Sequence, residues 1–184
     1  RFIFTPWVHW PETMCTYVVE EQILFTCDFF GAHLASSDLY VTDEQEIVSH
    51  MKRYYAEIMM PFASIIRKNI EKIQALELAM ICPSHGPLHR HPEFPIKVYS
   101  EWVSPHVKPK VIIIYTSNHG STKKLVEYAA EQLGTQHFEV HQFNMTVSSL
   151  AAIAMELVDA SMLLVASPTF LGGFHPNVAQ GIFI

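Results

Sequence analysis

Short apolar runs broken by turn residues open the chain. Residues 2–4 (Phe2-Ile3-Phe4) are apolar and β-prone, and Pro6 and Pro11 bracket a loop that carries His9 and Trp10. Residues 15–19 and 22–26 predict two strands joined through Glu20 and Glu21, the second running into Cys27-Asp28-Phe29-Phe30-Gly31. Thr42 with Gln45 three residues on has the form of a capping box, so a helix is expected from about Asp43 to Met59, broken or kinked at Pro61. A second helix is expected over 62–75, and a short strand over 76–81 that ends in Cys82-Pro83-Ser84-His85-Gly86-Pro87.

The texture then changes. Residues 83–109 hold six of the 11 prolines, with at most a short helix over 99–103. Residues 104–110 are the most linker-like stretch, and a boundary is placed there, dividing the chain into residues 1–108 and 109–184. Lys110 to Tyr115 is a continuous β-branched run of the kind buried on both faces of a sheet. Helices near 121–133 and 148–157 alternate with strands near 138–142 and 162–166. That β-α-β-α-β order predicts an open parallel sheet. Three strands are fewer than such a sheet usually holds, and the chain begins Arg1-Phe2 and closes inside an apolar pattern. The expectation is a piece of a longer protein.

Composition narrows the class. Hydrophobic residues make up 49% of 184 and charged residues 16%, which excludes a disordered chain. No run of about 18 apolar residues occurs, so no membrane span is expected. The formal net charge is −6 with no basic stripe, which argues against nucleic acid as a partner. The 3 Cys show no CxxC pairing and suit a reducing cytoplasm. The 11 His are the surplus that asks for an explanation.

Three polar residues sit in tight turns or at strand ends: His9 in V-H-W-P-E, Asp28, and His85 in P-S-H-G-P. Neutral imidazole with carboxylate is a ligand set for zinc or non-haem iron. Each of the three alone reads more readily as a turn residue than as a ligand. His33 follows Asp28 closely and is taken as a supporting or structural residue; Cys82 is taken as a buried thiol rather than a ligand.

In the second half, the loop Thr116-Ser117-Asn118-His119-Gly120-Ser121-Thr122 lies between a buried strand and a helix start. Hydroxyls, a glycine and helix N-terminal amides make a phosphate cradle there. The loop has neither the Walker ending nor a GxGxxG pattern, and with no Lys or Arg it would hold a phosphate through neutral donors. The third strand ends in Ser167-Pro168-Thr169-Phe170-Leu171-Gly172-Gly173, placed where ligands bind parallel sheets, though a plain Pro/Gly turn reads the same way.

The two loops together resemble those of the flavodoxin family, whose phosphate loop has the form T-x-x-x-G-x-T and whose second loop flanks a flavin ring. His9, Asp28 and His85, in that order, resemble the later metal motifs of the metallo-β-lactamase superfamily. The two halves joined resemble the flavodiiron proteins, or A-type flavoproteins. The phrases H-W-P-E-T-M (9–14), D-F-F-G-A-H (28–33), Y-Y-A-E-I-M-M-P (54–61) and P-S-H-G-P (83–87) carry that resemblance.

The resemblance implies an α/β fold: the C-terminal part of a metallo-β-lactamase-like αββα sandwich, then the first three strands of a flavodoxin-like doubly wound sheet. It implies two non-haem irons, with His9 and His85 each on one iron and Asp28 bridging, and FMN held by Thr116 to Thr122 and by Ser167 to Gly173. Trp10 would line the route between flavin and irons. The implied activity is reduction of O2 to water, NO to N2O, or both. The implied partners are a reduced electron-donor protein or deazaflavin and a second copy in a head-to-tail homodimer or a dimer of dimers. Two other readings stay open: a zinc hydrolase with a flavodoxin appendage, and a flavin electron carrier whose metal site has decayed.

Overall fold

The computed structural model describes residues 1–183. The chain forms two compact units, the first spanning Arg1–Pro105 and the second running from His106 onward.

The first unit is built on a four-stranded sheet in the order β1 (Phe2–Phe4), β2 (Met14–Val18), β3 (Ile23–Cys27), β4 (Met80–Pro83). β1, β2 and β3 pair antiparallel in turn, and β3 and β4 run parallel. Strand alternation gives the sheet two unlike faces. Ile3, Cys15, Tyr17, Leu24 and Ile81 are buried on one side. Phe2, Phe4, Met14 and Phe25 stand on the other, with Phe2 75% and Phe25 50% exposed. Apolar side chains on both faces are the mark of an inner layer in a stacked-sheet fold.

The helices follow β3. α1 (Glu44–Tyr54) buries Ile47, Met51 and Tyr54, and α2 (Ala63–Gln74) buries Ile66, Ile70 and Ile73; each is a stripe at helical spacing. The N-cap of α1 is Asp43 rather than Thr42: its carboxylate accepts from the Gln45 and Glu46 amides at 2.8 and 3.1 Å. A charged acceptor suits the positive helix end better than a hydroxyl. The regular helix is interrupted around Pro61, as expected. The proline's missing N–H and its ring are accommodated by a wide π turn over Tyr55–Met59, with the Met60 amide bonded to the Tyr55 carbonyl, then a tight 3₁₀ turn over Met60–Phe62.

β4 starts four residues later than expected, because Leu76 still closes α2 through its bond to the Ile73 carbonyl and Met80 is the residue in register with Ile23. α3 (Glu93–Trp102) is longer than expected. Pro92 and Pro95 fall at its N-cap and first turn, where an amide proton has no helical partner in any case.

His89, just past β4, is 2% exposed. Its Nε2–H donates to the Phe30 carbonyl at 3.2 Å, and Nδ1 has no partner among the described residues. Burial pushes its pKa from 6.5 down to about 4, against a smaller opposing pull from the Phe30 carbonyl. The fold therefore holds the neutral ring while the unfolded chain takes up a proton in that interval. The stabilisation is complete above about pH 6.5 and is lost as pH falls toward 4, on the order of 2–3 kcal/mol. Urea midpoints measured from pH 7 to 4.5 should drop, and His89→Leu should flatten that slope.

In the second unit, β5 (Lys108–Tyr115) lies between β6 (Glu139–Asn144) and β7 (Ala160–Ala166) in a parallel three-stranded sheet. Val111, Ile113 and Tyr115 pack with Val126 of α4 (Ser121–Thr135) on one face. Ile112 and Ile114 pack with Ile153 of α5 (Leu150–Leu157), Met145 and Val178 on the other. Two elements were not foreseen. β8 (Thr169–Phe170) and β9 (Gly173–Phe174) make a minimal hairpin, and α6 spans Pro176–Ile182. Among the described residues no helix is long and apolar enough to cross a membrane.

Candidate metal centre and phosphate loop

β1 runs parallel to β3 by way of β2, and β3 runs parallel to β4, so the loops leaving β1, β3 and β4 emerge at one sheet edge. Those loops carry His9, Asp28 and His85. The His9 loop is tied at its base: Thr13 Oγ1 donates to the Trp10 carbonyl at 2.9 Å and accepts from the Trp10 amide at 3.2 Å. The Asp28 turn is tied by Thr26 Oγ1, which donates to the Phe29 carbonyl at 2.7 Å, and by the Gly31 amide on the Asp28 carbonyl. The Ser84 amide bonds the Cys27 carbonyl and the Ala32 amide bonds the His85 carbonyl, which ties the third loop to the second. Gly31 permits that closeness, since a Cβ there would stand 3.3 Å from the His85 Cβ and 3.0 Å from the Asp28 carbonyl.

The three side chains meet. Asp28 Oδ2 lies 3.2 Å from His9 Nε2, and Asp28 Oδ1 lies 3.1 Å from His85 Nε2. One carboxylate thus presents a different oxygen to each imidazole. Adjacent ligands held at about 2.1 Å on one ion stand about 3.0 Å apart, so each imidazole–oxygen pair suits one metal and the carboxylate suits a bridge between two. Imidazole and carboxylate together suit iron or zinc. Among the described residues no group of three or more His, Cys, Asp or Glu side chains is placed to hold a metal ion; His9 and His85 each pair with Asp28 alone.

Trp10 lies with its ring 5.2 Å from that of His9 and is 61% exposed. Cys82 is buried, and burial pushes its thiol pKa up, which keeps it protonated. Sequence reasoning passed over Tyr54, whose buried ring lies 5.7 Å from that of His85. Burial first, and the Asp28 carboxylate second, push its phenol pKa well up, so it keeps its proton. Nothing in the Y-Y-A-E sequence itself says which tyrosine reaches the site.

In the second unit, β5 and β7 pair in parallel, and their following loops leave the same carboxyl edge. Thr116 is 1% exposed, and its Oγ1 has no hydrogen-bond partner among the described residues. Ser117 Oγ accepts from the Gly120 and Lys123 amides at 3.1 and 3.2 Å, fixing the turn onto α4. Gly120 caps that helix at φ 86°, where a Cβ would touch nothing but the backbone would be strained. Asn118, His119 and Ser121 are exposed, and Thr122 is half-buried at the first turn. An orphaned hydroxyl under a helix N-terminus fits a phosphate.

Ser167 Oγ accepts from the His175 amide and donates to the Pro168 carbonyl, both at 2.8 Å. Leu171 and Gly172 turn the β8–β9 hairpin with φ of 49° and 82°. Ser167, Pro168, Thr169, Gly172, Gly173 and Phe174 line a depression of about 330 Å³. A larger groove of about 720 Å³, between α2 and α3, involves none of these residues.

Known proteins resemble this chain in sequence and fold. A family model described as ODP family beta lactamase matches residues 1–86. The nitric oxide reductase of Moorella thermoacetica is 37% identical over 97% of this chain and 46% of its own length. Rubredoxin oxygen:oxidoreductase from Desulfovibrio gigas superposes with a TM-score of 0.93 at 30% identity, over 99% of this chain and 47% of that one. The flavodiiron protein from Giardia intestinalis gives 0.91 at 29% identity, over 100% of this chain and 46% of that one. The chain spans about half the length of the relatives it matches.

Proposed function

The chain belongs to the flavodiiron protein family, and from that premise we propose that the protein reduces O2 to water, NO to N2O, or both, at a non-haem di-iron site fed with electrons by FMN. The first unit serves as the metal domain and the second as the flavin domain. The observation that carries the reading is the Asp28 carboxylate, whose two oxygens face His9 Nε2 and His85 Nε2 separately at 3.2 and 3.1 Å.

His9 and His85 would each hold one iron through Nε2, and Asp28 would join them. Thr116 and the start of α4 would hold the FMN phosphate, and the Ser167–Gly173 loop would flank the flavin ring. When bound, the flavin supplies electrons and the iron pair supplies open positions for a diatomic ligand. Asp28 would provide negative charge to offset the two cations, and His9 and His85 would bind as neutral imidazoles. Tyr54 retains its proton beside Asp28 and walls His85 from the core.

Trp10, exposed yet set against His9, offers an aromatic surface to an incoming flavin. That supports the head-to-tail homodimer, in which the FMN of one protomer serves the irons of its partner. A reduced donor protein or deazaflavin would recharge the flavin.

Elemental and flavin analysis of the full-length protein tests the reading. Expected are a pair of irons and a flavin for each chain, with O2 or NO consumed when the flavin is reduced. Zinc in place of iron, together with ester or thioester hydrolysis, would sink it.

A further inference from the structure

His85 is 53% exposed at its side chain, and no hydrogen bond to its Nδ1 occurs among the described residues. A metal-bound imidazole ordinarily has that second nitrogen tied to a carboxylate or carbonyl, which fixes its ring. Here the ring is held by Asp28 at Nε2, 3.1 Å away, and is flanked by Tyr54 at 5.7 Å between centroids. Tyr54 is in turn met edge-on by His33, with ring centroids 4.7 Å apart and planes at 86°. His33 Nδ1 is 3.2 Å from Glu57 Oε2, and Glu57 Oε1 is 3.3 Å from Arg53 Nε. A connected series therefore runs Arg53, Glu57, His33, Tyr54, His85, Asp28. It links α1 and its π turn to the loops after β3 and β4. Glu57 lies inside the π turn, a feature that recurs near functional sites.

Resting on the di-iron reading above, we propose that His33, held by Glu57, is a positioning residue that pins the Tyr54 ring and through it the direction of His85 Nε2 toward Asp28. His33 and Glu57 touch neither His9 nor the Asp28 carboxylate in any ion pair, so they act through Tyr54. The hydrogen bond matters here more than the charge, since a neutral partner can hold the imidazole equally well. Misplacement of a reacting group by about 1 Å costs up to a hundredfold in rate.

The test uses the full-length protein loaded with Co(II), whose visible spectrum reports ligand geometry, alongside steady-state kinetics of the iron form. His33→Ala and Glu57→Ala should each change the cobalt spectrum and lower kcat roughly ten- to a hundredfold, with KM for O2 or NO within about twofold. Glu57→Gln keeps a hydrogen-bonding side chain and should restore the native cobalt spectrum and most of kcat. A native spectrum with kcat within about twofold in His33→Ala overturns the proposal. So does Glu57→Gln failing as completely as Glu57→Ala, which would make charge the operative property. Wild-type protein that binds no metal pair would instead overturn the di-iron reading, so the two failures are separable. Thermal midpoints of all variants, measured with the metal absent, separate positioning from loss of the fold.

Discussion

Asp28→Ala is expected to strip iron from the protein and abolish O2 and NO reduction while leaving the flavin bound. Among the described residues, Asp28 is the only group within ion-pair distance of both His9 and His85, at 3.2 and 3.1 Å. Removing it takes away the one carboxylate that would join the two metal ions, and the one negative charge these three residues would bring to them. Loss of an outer partner of a metal ligand already costs roughly 10- to 100-fold in affinity, so loss of the shared ligand should exceed that. The turn itself should survive, because it is tied by backbone and Thr26 bonds rather than by the carboxylate. Flavin content should be unchanged, since the phosphate loop belongs to the other unit. Asp28→Asn keeps the shape and removes the charge; if charge is the dominant requirement, it should bind iron as poorly as the Ala variant. Elemental analysis, flavin absorbance and gas consumption on one preparation check all of this. Full activity with a native iron content would remove Asp28 from the site.

The residues of that site were legible because each stood in a turn with a chemical reason to be there, and their order matched known motifs. Their convergence was not legible. It depends on β1 and β4 both running parallel to β3, which places three loops at one sheet edge. Hydrophobic periodicity reports which residues of a strand share a face, not which strand lies beside which. Tyr54 escaped notice for a related reason. Burial pattern alone marks it as a core tyrosine on α1, and only the placement of His85 gives it a neighbour with chemistry.

The interruption expected at Pro61 is present, as a π turn and a 3₁₀ turn between α1 and α2. Where the local reading failed, longer-range geometry prevailed. Pro92 and Pro95 read as loop residues in a proline-rich stretch, but both fall where a helix begins and cost it nothing. The β8–β9 hairpin has two-residue strands, too short for any periodic signal; only Leu171-Gly172 at its turn hinted at it. β5, by contrast, was plain in the sequence. A strand covered on both faces must be apolar throughout, and Val111 to Ile114 are fully buried.

Thr116→Val should move two properties in opposite directions. Thr116 Oγ1 is buried at the end of β5 without a hydrogen-bond partner among the described residues, a state that costs a folded protein about 1–3 kcal/mol. Val removes the hydroxyl while keeping the β-branched shape, so the flavin-free protein should be as stable as before or more so. FMN affinity should fall, because a hydrogen bond to a charged group contributes about 1.5–3 kcal/mol, roughly ten- to a hundredfold in Kd. A structural hydroxyl would give the reverse: lower stability and unchanged affinity. Ser117→Ala provides the contrast, since Ser117 Oγ already accepts from the Gly120 and Lys123 amides. Its loss should lower both stability and affinity, because it loosens the turn that presents the start of α4. Flavin fluorescence titration and thermal unfolding of flavin-free protein measure the two effects. Unchanged FMN affinity in Thr116→Val would remove this residue from the phosphate site, and opposite shifts in the two quantities would tie the orphaned hydroxyl to its ligand.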